Sequence, residues 1–218
     1  MVVFDFDGTL FDSTHAITQA IRAAAVDLGL PEPSHERASH VIGLGLRDAL
    51  RYAVPTLTEE QVPAYIERYR MHWFKRQGDL VAFVGIEALL DALGARQIPL
   101  AIATGKSRVG LNRALDQVSW ARRFLTTRCA DEGEPKPHPW MLRDISEETG
   151  VALDRIVMVG DTTHDLEMAR AAGSHAIAVT YGAHPAEQLQ AARPLAVVDD
   201  VPGLQSLLLS MTGTLGNA

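Results

Sequence analysis

Between residues 86 and 209, short apolar runs alternate without interruption with helix-patterned stretches, and this alternation constrains the fold more tightly than any other feature of the chain. Strands are predicted at 98–104, 124–129, 156–161, 176–180 and 195–198, and helices at 86–93, 107–117, 140–149, 165–172, 185–192 and 201–209. Strand and helix in regular succession build a parallel sheet with helices on both faces, an α/β doubly wound architecture. A chain of 218 residues has room for such a core and a second, smaller domain. The tail 211–218 offers little to pack and is predicted to fray.

One further buried strand, Val2-Val3-Phe4, stands ahead of everything else. Asp5 and Asp7 follow it two residues apart, and Gly8 ends the run. Side chains two apart share a face of a strand. Both carboxylates are therefore offered to one place at the strand's carboxyl end, while Phe4 and Phe6 pack on the other side. Open α/β sheets bind ligands at that edge. Read alone, the stretch is equally a strand running into an acidic turn, where Asp-Gly is a common pair.

Residues 15–79 carry helical patterns only. Ile17, Ala20, Ile21, Ala24 and Leu28 recur at helical spacing up to Gly29; a second pattern over 38–53 is broken by Gly43 and Gly45; a third covers 59–77 and holds Tyr65, Ile66, Tyr69 and Trp73. The block reads as an inserted all-helical domain, with the core at 1–14 and 82–218 and the insert at 15–81.

Several predicted strand ends carry polar signatures: Asp5 with Asp7, Thr104 with Gly105, and Asp161. In a parallel sheet all carboxyl ends lie on one edge, so these residues and the loop residue Lys136 are expected to meet above it. Crowded carboxylates repel, by about 4 kcal/mol for a unit pair about 4 Å apart at an effective dielectric near 20. Lys136 and a hard divalent cation such as Mg²⁺ are the natural means of offsetting that. Thr104, with the amides of Gly105 and Lys106 at a helix start, suits an oxyanion.

Asp-Phe-Asp-Gly-Thr-Leu-Phe-Asp-Ser, Ala-Thr-Gly-Lys, Lys136-Pro137 and Gly160-Asp161-Thr162-Thr163-His164-Asp165, in that order, resemble the four motifs of the haloacid dehalogenase superfamily of phosphohydrolases. The resemblance covers essentially the whole chain and is strongest to phosphoglycolate-phosphatase-like members. It implies a Rossmann-like core and a Mg²⁺-dependent phosphatase acting on a small phosphate monoester, phosphoglycolate-like or a sugar phosphate. Carried over residue by residue, it makes Asp5 the nucleophile and Asp7 the general acid and then base. Thr104, Gly105 and Lys106 would hold the phosphoryl group, Lys136 would balance charge, and Asp5, Asp7, Asp161 and Asp165 would form the metal site. The helical insert would be a mobile cap, joined by linkers near 12–16 and 79–85. Arg47, after Gly43-Leu44-Gly45-Leu46, would reach a substrate carboxylate or second phosphate; its other reading is a solvated helix arginine. Val84 stands where proline is usual in the re-entry loop.

The presence of Asp7, Asp161 and Asp165 argues against halide displacement, which needs no acid for the leaving group. A phosphonate hydrolase is disfavoured by Asp7, where that branch has a small residue. A β-phosphoglucomutase-like phosphotransferase and a pyrophosphatase remain alternatives, as does a non-catalytic phosphate-binding or regulatory protein. The Thr-Gly-Lys-Ser at 104–107 is not a P-loop, because the required first glycine would fall at Leu100. His35 and His40 read as surface residues, His164 as a helix-start histidine facing solvent or else a neighbour of the metal, Lys106 equally as a phosphate contact or an exposed helix-start lysine, Asp12 and Ser13 as capping and hinge residues, and the Tyr65–Trp73 stripe as cap core.

A net charge of −7 with no long Lys/Arg run predicts no nucleic-acid or membrane surface, so the expected partner is a small phosphorylated metabolite, bound by a monomer or homodimer. The lone cysteine, Cys129, forms no intrachain disulfide, and no apolar run approaches the roughly 20 residues that span a bilayer. With an amino terminus that opens directly on a strand, these features predict a cytoplasmic protein.

Overall fold

The computed structural model describes residues 1–76 and 81–215 of the chain. Its elements run β1 (Val2–Phe4), α1 (Thr14–Asp27), α2 (His35–His40), α3 (Leu46–Ala53), α4 (Val62–Arg76), α5 (Ile86–Ala95), β2 (Leu100–Thr104), α6 (Arg108–Leu115), β3 (Phe124–Cys129), α7 (Trp140–Thr149), β4 (Val157–Gly160), α8 (Thr163–Ala172), β5 (His175–Val179), α9 (Ala186–Ala191), β6 (Ala196–Val198) and α10 (Val201–Leu215). Among the described residues the strands form one parallel sheet, ordered β3-β2-β1-β4-β5-β6.

The pleat sorts neighbouring residues onto opposite faces. Phe4, Ile102, Val159 and Ile177 pack with the leucines of α5 and α10, whereas Val3, Ala101, Met158 and Ala178 pack with α7 and α8. Both faces are covered, which is why the strands read as continuous apolar runs rather than alternating ones. The chain travels from β1 to β2 and β3 on one side, then crosses back to lay β4, β5 and β6 on the other. The order therefore reverses beside β1, and the crevice at such a switch point opens at the carboxyl ends of the strands.

Helices α1 to α4 bury a separate core that includes Ile21, Ala24, Leu50, Tyr65 and Trp73. Within it the Tyr65 hydroxyl donates to the Ile21 carbonyl at 3.0 Å. The chain leaves β1 and returns to α5 along paired segments: Asp12 N donates to Val81 O (3.0 Å) and Phe83 N to Leu10 O (3.1 Å).

Some expectations need correction. The second insert helix starts at His35, three residues early, because Ser34 accepts the Arg37 amide as an N-cap; the chain turns at 41–45 before α3 resumes at Leu46. The tail does not fray over 211–215: α10 runs to Leu215 and Met211 packs against the sheet core. Gln77, the predicted end of the third insert helix, the start of the second linker at 79–80, and tail residues 216–218 lie outside the described residues. Cys129 is buried and its thiol is pushed up to about 12, chiefly by burial, so it packs as a small apolar residue. Among the described residues no helix is long and apolar enough to cross a membrane.

Candidate active site

Asp5 continues β1 by one residue, its amide donating to Val159 O at 2.9 Å, and this brings its side chain to the switch point fully buried. Lys136 enters from the loop after β3 and its ammonium sits between two carboxylates, 2.6 Å from Asp5 Oδ1 and 2.6 Å from Asp165 Oδ1. The second Asp165 oxygen is spent on Thr162, accepting its amide (3.1 Å) and hydroxyl (2.7 Å) in a capping box at the start of α8. Asp165 thus anchors Lys136. Asp161, one residue beyond β4, accepts from the Thr9 hydroxyl at 2.7 Å and the Ala183 amide at 2.7 Å.

Gly8 allows this closeness. Its φ of +82° closes the turn after Asp7, and a Cβ there would lie 2.2 Å from Asp161 Oδ2. Asp7 faces the cavity above, its Oδ1 accepting from the Ser13 hydroxyl at 2.6 Å and its Oδ2 paired with Lys106 at 2.9 Å. Lys106 also lies 4.6 Å from the ring centre of Trp73, on the insert.

Three carboxylates share one cation, and their electrostatics show the strain of that ratio. Burial raises the Asp5 carboxyl well above the ordinary range; Lys136 opposes the shift, and the Asp165 and Asp161 charges add to it. Burial, then the Asp165 charge, pushes Asp161 up to about 7. Burial alone would lower Lys136, but Asp165 and Asp5 outweigh it and hold the ammonium above the usual lysine range. Ligand oxygens of Asp5, Asp161 and Asp165 lie within 4.8 Å of one another. Asp5 Oδ2 is buried and has no hydrogen-bond partner. An orphaned carboxylate oxygen beside a carboxyl with raised proton affinity is what a hard divalent cation fits.

A prediction follows for the metal-free protein. Because the folded-state values of Asp5 and Asp161 lie above that of an unfolded aspartate, the folded chain holds extra protons at mildly acid pH. The stability they contribute is present at acid pH and is lost as pH rises toward and through about 7. Melting in EDTA is expected to fall by several degrees from pH 5.5 to pH 8, and Asp161→Asn is expected to at least halve that fall. A melting temperature that rises over this window would contradict the placement of these carboxyls.

Thr104 is buried at the end of β2, and its hydroxyl accepts the Lys106 amide at 3.2 Å. The expected helix-start geometry is modified, because α6 begins only at Arg108 with Ser107 as its cap, which leaves Gly105 and Lys106 in the turn before it. Gly105 is needed for close approach: a Cβ there would lie 2.5 Å from Gly43 O and 2.6 Å from Leu44 O, so the insert's glycine turn is seated directly on the loop after β2.

The remaining readings are resolved differently. Arg47 lies at the cavity rim, half exposed, and pairs with Glu59, which also holds Arg51. Lys106 is largely covered, its ammonium on Asp7, rather than exposed at a helix start. Ser13 stands at the N-cap of α1 but makes no side-chain cap bond there; its hydroxyl goes to Asp7 instead. His164 does not face solvent: it is 8% exposed, and its Nε2 donates to His40 O at 2.8 Å. His184, which no motif marks, accepts the Thr163 amide on Nδ1 and donates from Nε2 to the same carbonyl at 3.0 Å. Burial lowers it to about 4 and keeps it neutral. The His40 ring stacks on it at 4.8 Å, so His40 is an insert-to-core contact rather than a surface residue. Thr9 and Ser13 lie within the first motif and His184 outside all four, and nothing in the sequence marks what any of them touches. Their partners are set by the tertiary fold.

A family model described as haloacid dehalogenase-like hydrolase matches residues 2–179. The chain is 34% identical to "Probable phosphatase IndB" of Dickeya dadantii, over 98% of this chain and 96% of that protein. It is 29% identical to a phosphoglycolate phosphatase of Aliivibrio fischeri, covering 95% and 96% of the two chains. Among solved structures it is similar to a predicted phosphoglycolate phosphatase from Haemophilus somnus, with a TM-score of 0.84, 25% identity and 97% of each chain covered.

Proposed function

This chain belongs to the haloacid dehalogenase-like hydrolases, and from that premise we propose that it is a Mg²⁺-dependent phosphatase hydrolysing a small-molecule phosphate monoester through an aspartyl-phosphate on Asp5. The observation that carries the reading is Lys136 locked between Asp5 and Asp165, with the other Asp5 oxygen buried and unpartnered. Such a carboxylate is oriented and desolvated for attack on phosphorus, with one oxygen on Lys136 and the other open to a cation.

In the first step an Asp5 oxygen bonds to phosphorus as the ester P–O bond breaks, and Asp7 gives its proton to the leaving alkoxide. In the second, Asp7 takes a proton from water, whose oxygen attacks phosphorus and releases phosphate and the Asp5 carboxylate. The structure suits Asp7 to the second role, since both its oxygens accept hydrogen bonds or ion pairs. Arrival of a phosphate gives Lys106 a competing anion and frees Asp7 Oδ2 for the proton it must carry. Thr104 and the Gly105 turn hold the phosphoryl oxygens. Lys136 opposes the protonation that burial favours at Asp5 and offsets the charge that builds up. The Asp5 and Asp161 carboxylates and the Asp7 backbone carbonyl would hold Mg²⁺, with Asp165 acting through Lys136. When bound, that cation supplies shielding between the incoming phosphate and the acidic cluster. The insert, at 15–81, would act as the cap that excludes water.

With p-nitrophenyl phosphate and Mg²⁺, steady release of p-nitrophenol is expected, falling at least about 100-fold in EDTA and returning on addition of Mg²⁺. Undiminished turnover in EDTA would remove the metal from the mechanism.

A further inference from the structure

The space above Asp5 and Asp7 is a cavity of about 720 Å³, shared between core and insert. Its floor is polar, with Asp5, Asp7 and Lys106. Its insert side is mainly apolar, with Ile17, Ile21, Val41, Ile42, Tyr69 and Trp73 facing it and the charged Arg47, Asp48 and Arg70 also lining it. A cavity in the range of about 300–1,000 Å³ encloses a drug-sized ligand rather than a fragment.

A two-carbon acid esterified to phosphate would fill a small part of this space. The rest would hold water, each molecule needing about 30 Å³ and two to four polar partners, of which a mainly aliphatic and aromatic wall offers few. Its carboxylate would also need a cation. Of the cations lining the cavity, Lys106 is held by Asp7 and faces the phosphate floor, and Arg47 is held by Glu59. Arg70 and Arg113 are exposed at the mouth, Arg113 lying 4.9 Å over the Phe74 ring. Among the described residues the buried wall carries no cation placed for a small acid.

Resting on the phosphatase reading, we propose that the substrate is the phosphate monoester of a bulky, apolar, ring-bearing alcohol, whose leaving group is buried against the insert wall. Contacts of this kind lie remote from phosphorus and supply binding energy that holds the ester in line with Asp5.

The test compares kcat/KM of the Mg²⁺-loaded enzyme for 2-phenylethyl phosphate, ethyl phosphate and phosphoglycolate. The first two leave as alkoxides of similar basicity, so their ratio reads the cavity rather than the chemistry. Burying the ring is expected to favour 2-phenylethyl phosphate by about 30-fold over ethyl phosphate, and by no less over phosphoglycolate. Tyr69→Ala is expected to cut that ratio at least fivefold and Tyr69→Leu to keep most of it, since volume and apolarity are what matter. A ratio below about threefold, or a preference for phosphoglycolate, overturns this inference and leaves the phosphatase reading standing. Turnover of none of the three esters overturns the phosphatase reading. In that case the affinities of 2-phenylethylphosphonate and ethylphosphonate, measured by calorimetry, still decide the cavity's preference: tighter binding of the aromatic compound by about 30-fold supports it and equal affinity refutes it.

Discussion

Asp5→Asn is expected to abolish turnover, lowering kcat on an aryl phosphate by at least about 10⁴-fold, as loss of a nucleophile does elsewhere. The replacement is nearly isosteric, and the Lys136 ammonium keeps an amide oxygen to bond where Asp5 Oδ1 now sits. What goes is the negative charge that attacks phosphorus in the proposed mechanism. The structure also separates this effect from simple damage. Asp5 is buried beside Asp161 and Asp165, and burial already resists its ionisation, so removing the charge relieves repulsion in the metal-free protein. The variant is therefore expected to melt at or above the wild-type temperature in EDTA while showing no turnover. Activity within tenfold of wild type would remove Asp5 as the nucleophile. Inactivity accompanied by a large fall in melting temperature would make its role structural.

The sheet and the gathering of acids above it were legible because both follow from local rules. Apolar runs with helical stretches between them force parallel strands, and parallel strands put Asp5, Thr104 and Asp161 on one edge wherever the rest of the chain goes. What could not be read was which atoms each acid would touch. Thr9 meets Asp161 across 152 residues of sequence, and Ser13 looks like a helix cap until the turn at Gly8 swings it toward Asp7. Whether Lys106 is covered cannot be read locally, because the Trp73 ring beside its ammonium belongs to another helix, α4. His184 follows β5 with no motif around it, yet it and His164 bind one carbonyl at the end of α2 and tie the insert to the core. Local pattern fixes which elements form, and the partners of a buried polar atom are fixed only when distant elements pack.

Lys136→Met is expected to be the most destabilising single change in the site. Methionine matches the lysine stem in length and apolarity, so packing is conserved and the lost quantity is the charge. Without it the buried carboxylates of Asp5 and Asp165 lose hydrogen-bonded partners at 2.6 Å. Breaking a buried ion pair by removing one member costs about 3–5 kcal/mol, because the other charge is left uncompensated. For a chain of this size that is a fall of about 10 °C or more in melting temperature at pH 8 without metal. The deficit should shrink on acidification, since protonating the orphaned carboxyls removes the charge that needs compensation, and it should shrink on adding Mg²⁺, a cation that takes over part of the same work. Turnover is expected to stay at least about 100-fold down even with Mg²⁺ saturating, because a cation beside the acidic cluster cannot replace the hydrogen bond that orients Asp5. A Lys136→Met protein that melts within 2 °C of wild type in EDTA, about the least that a 1 kcal/mol loss would cause, would show that the acidic cluster does not rely on this lysine for its charge balance.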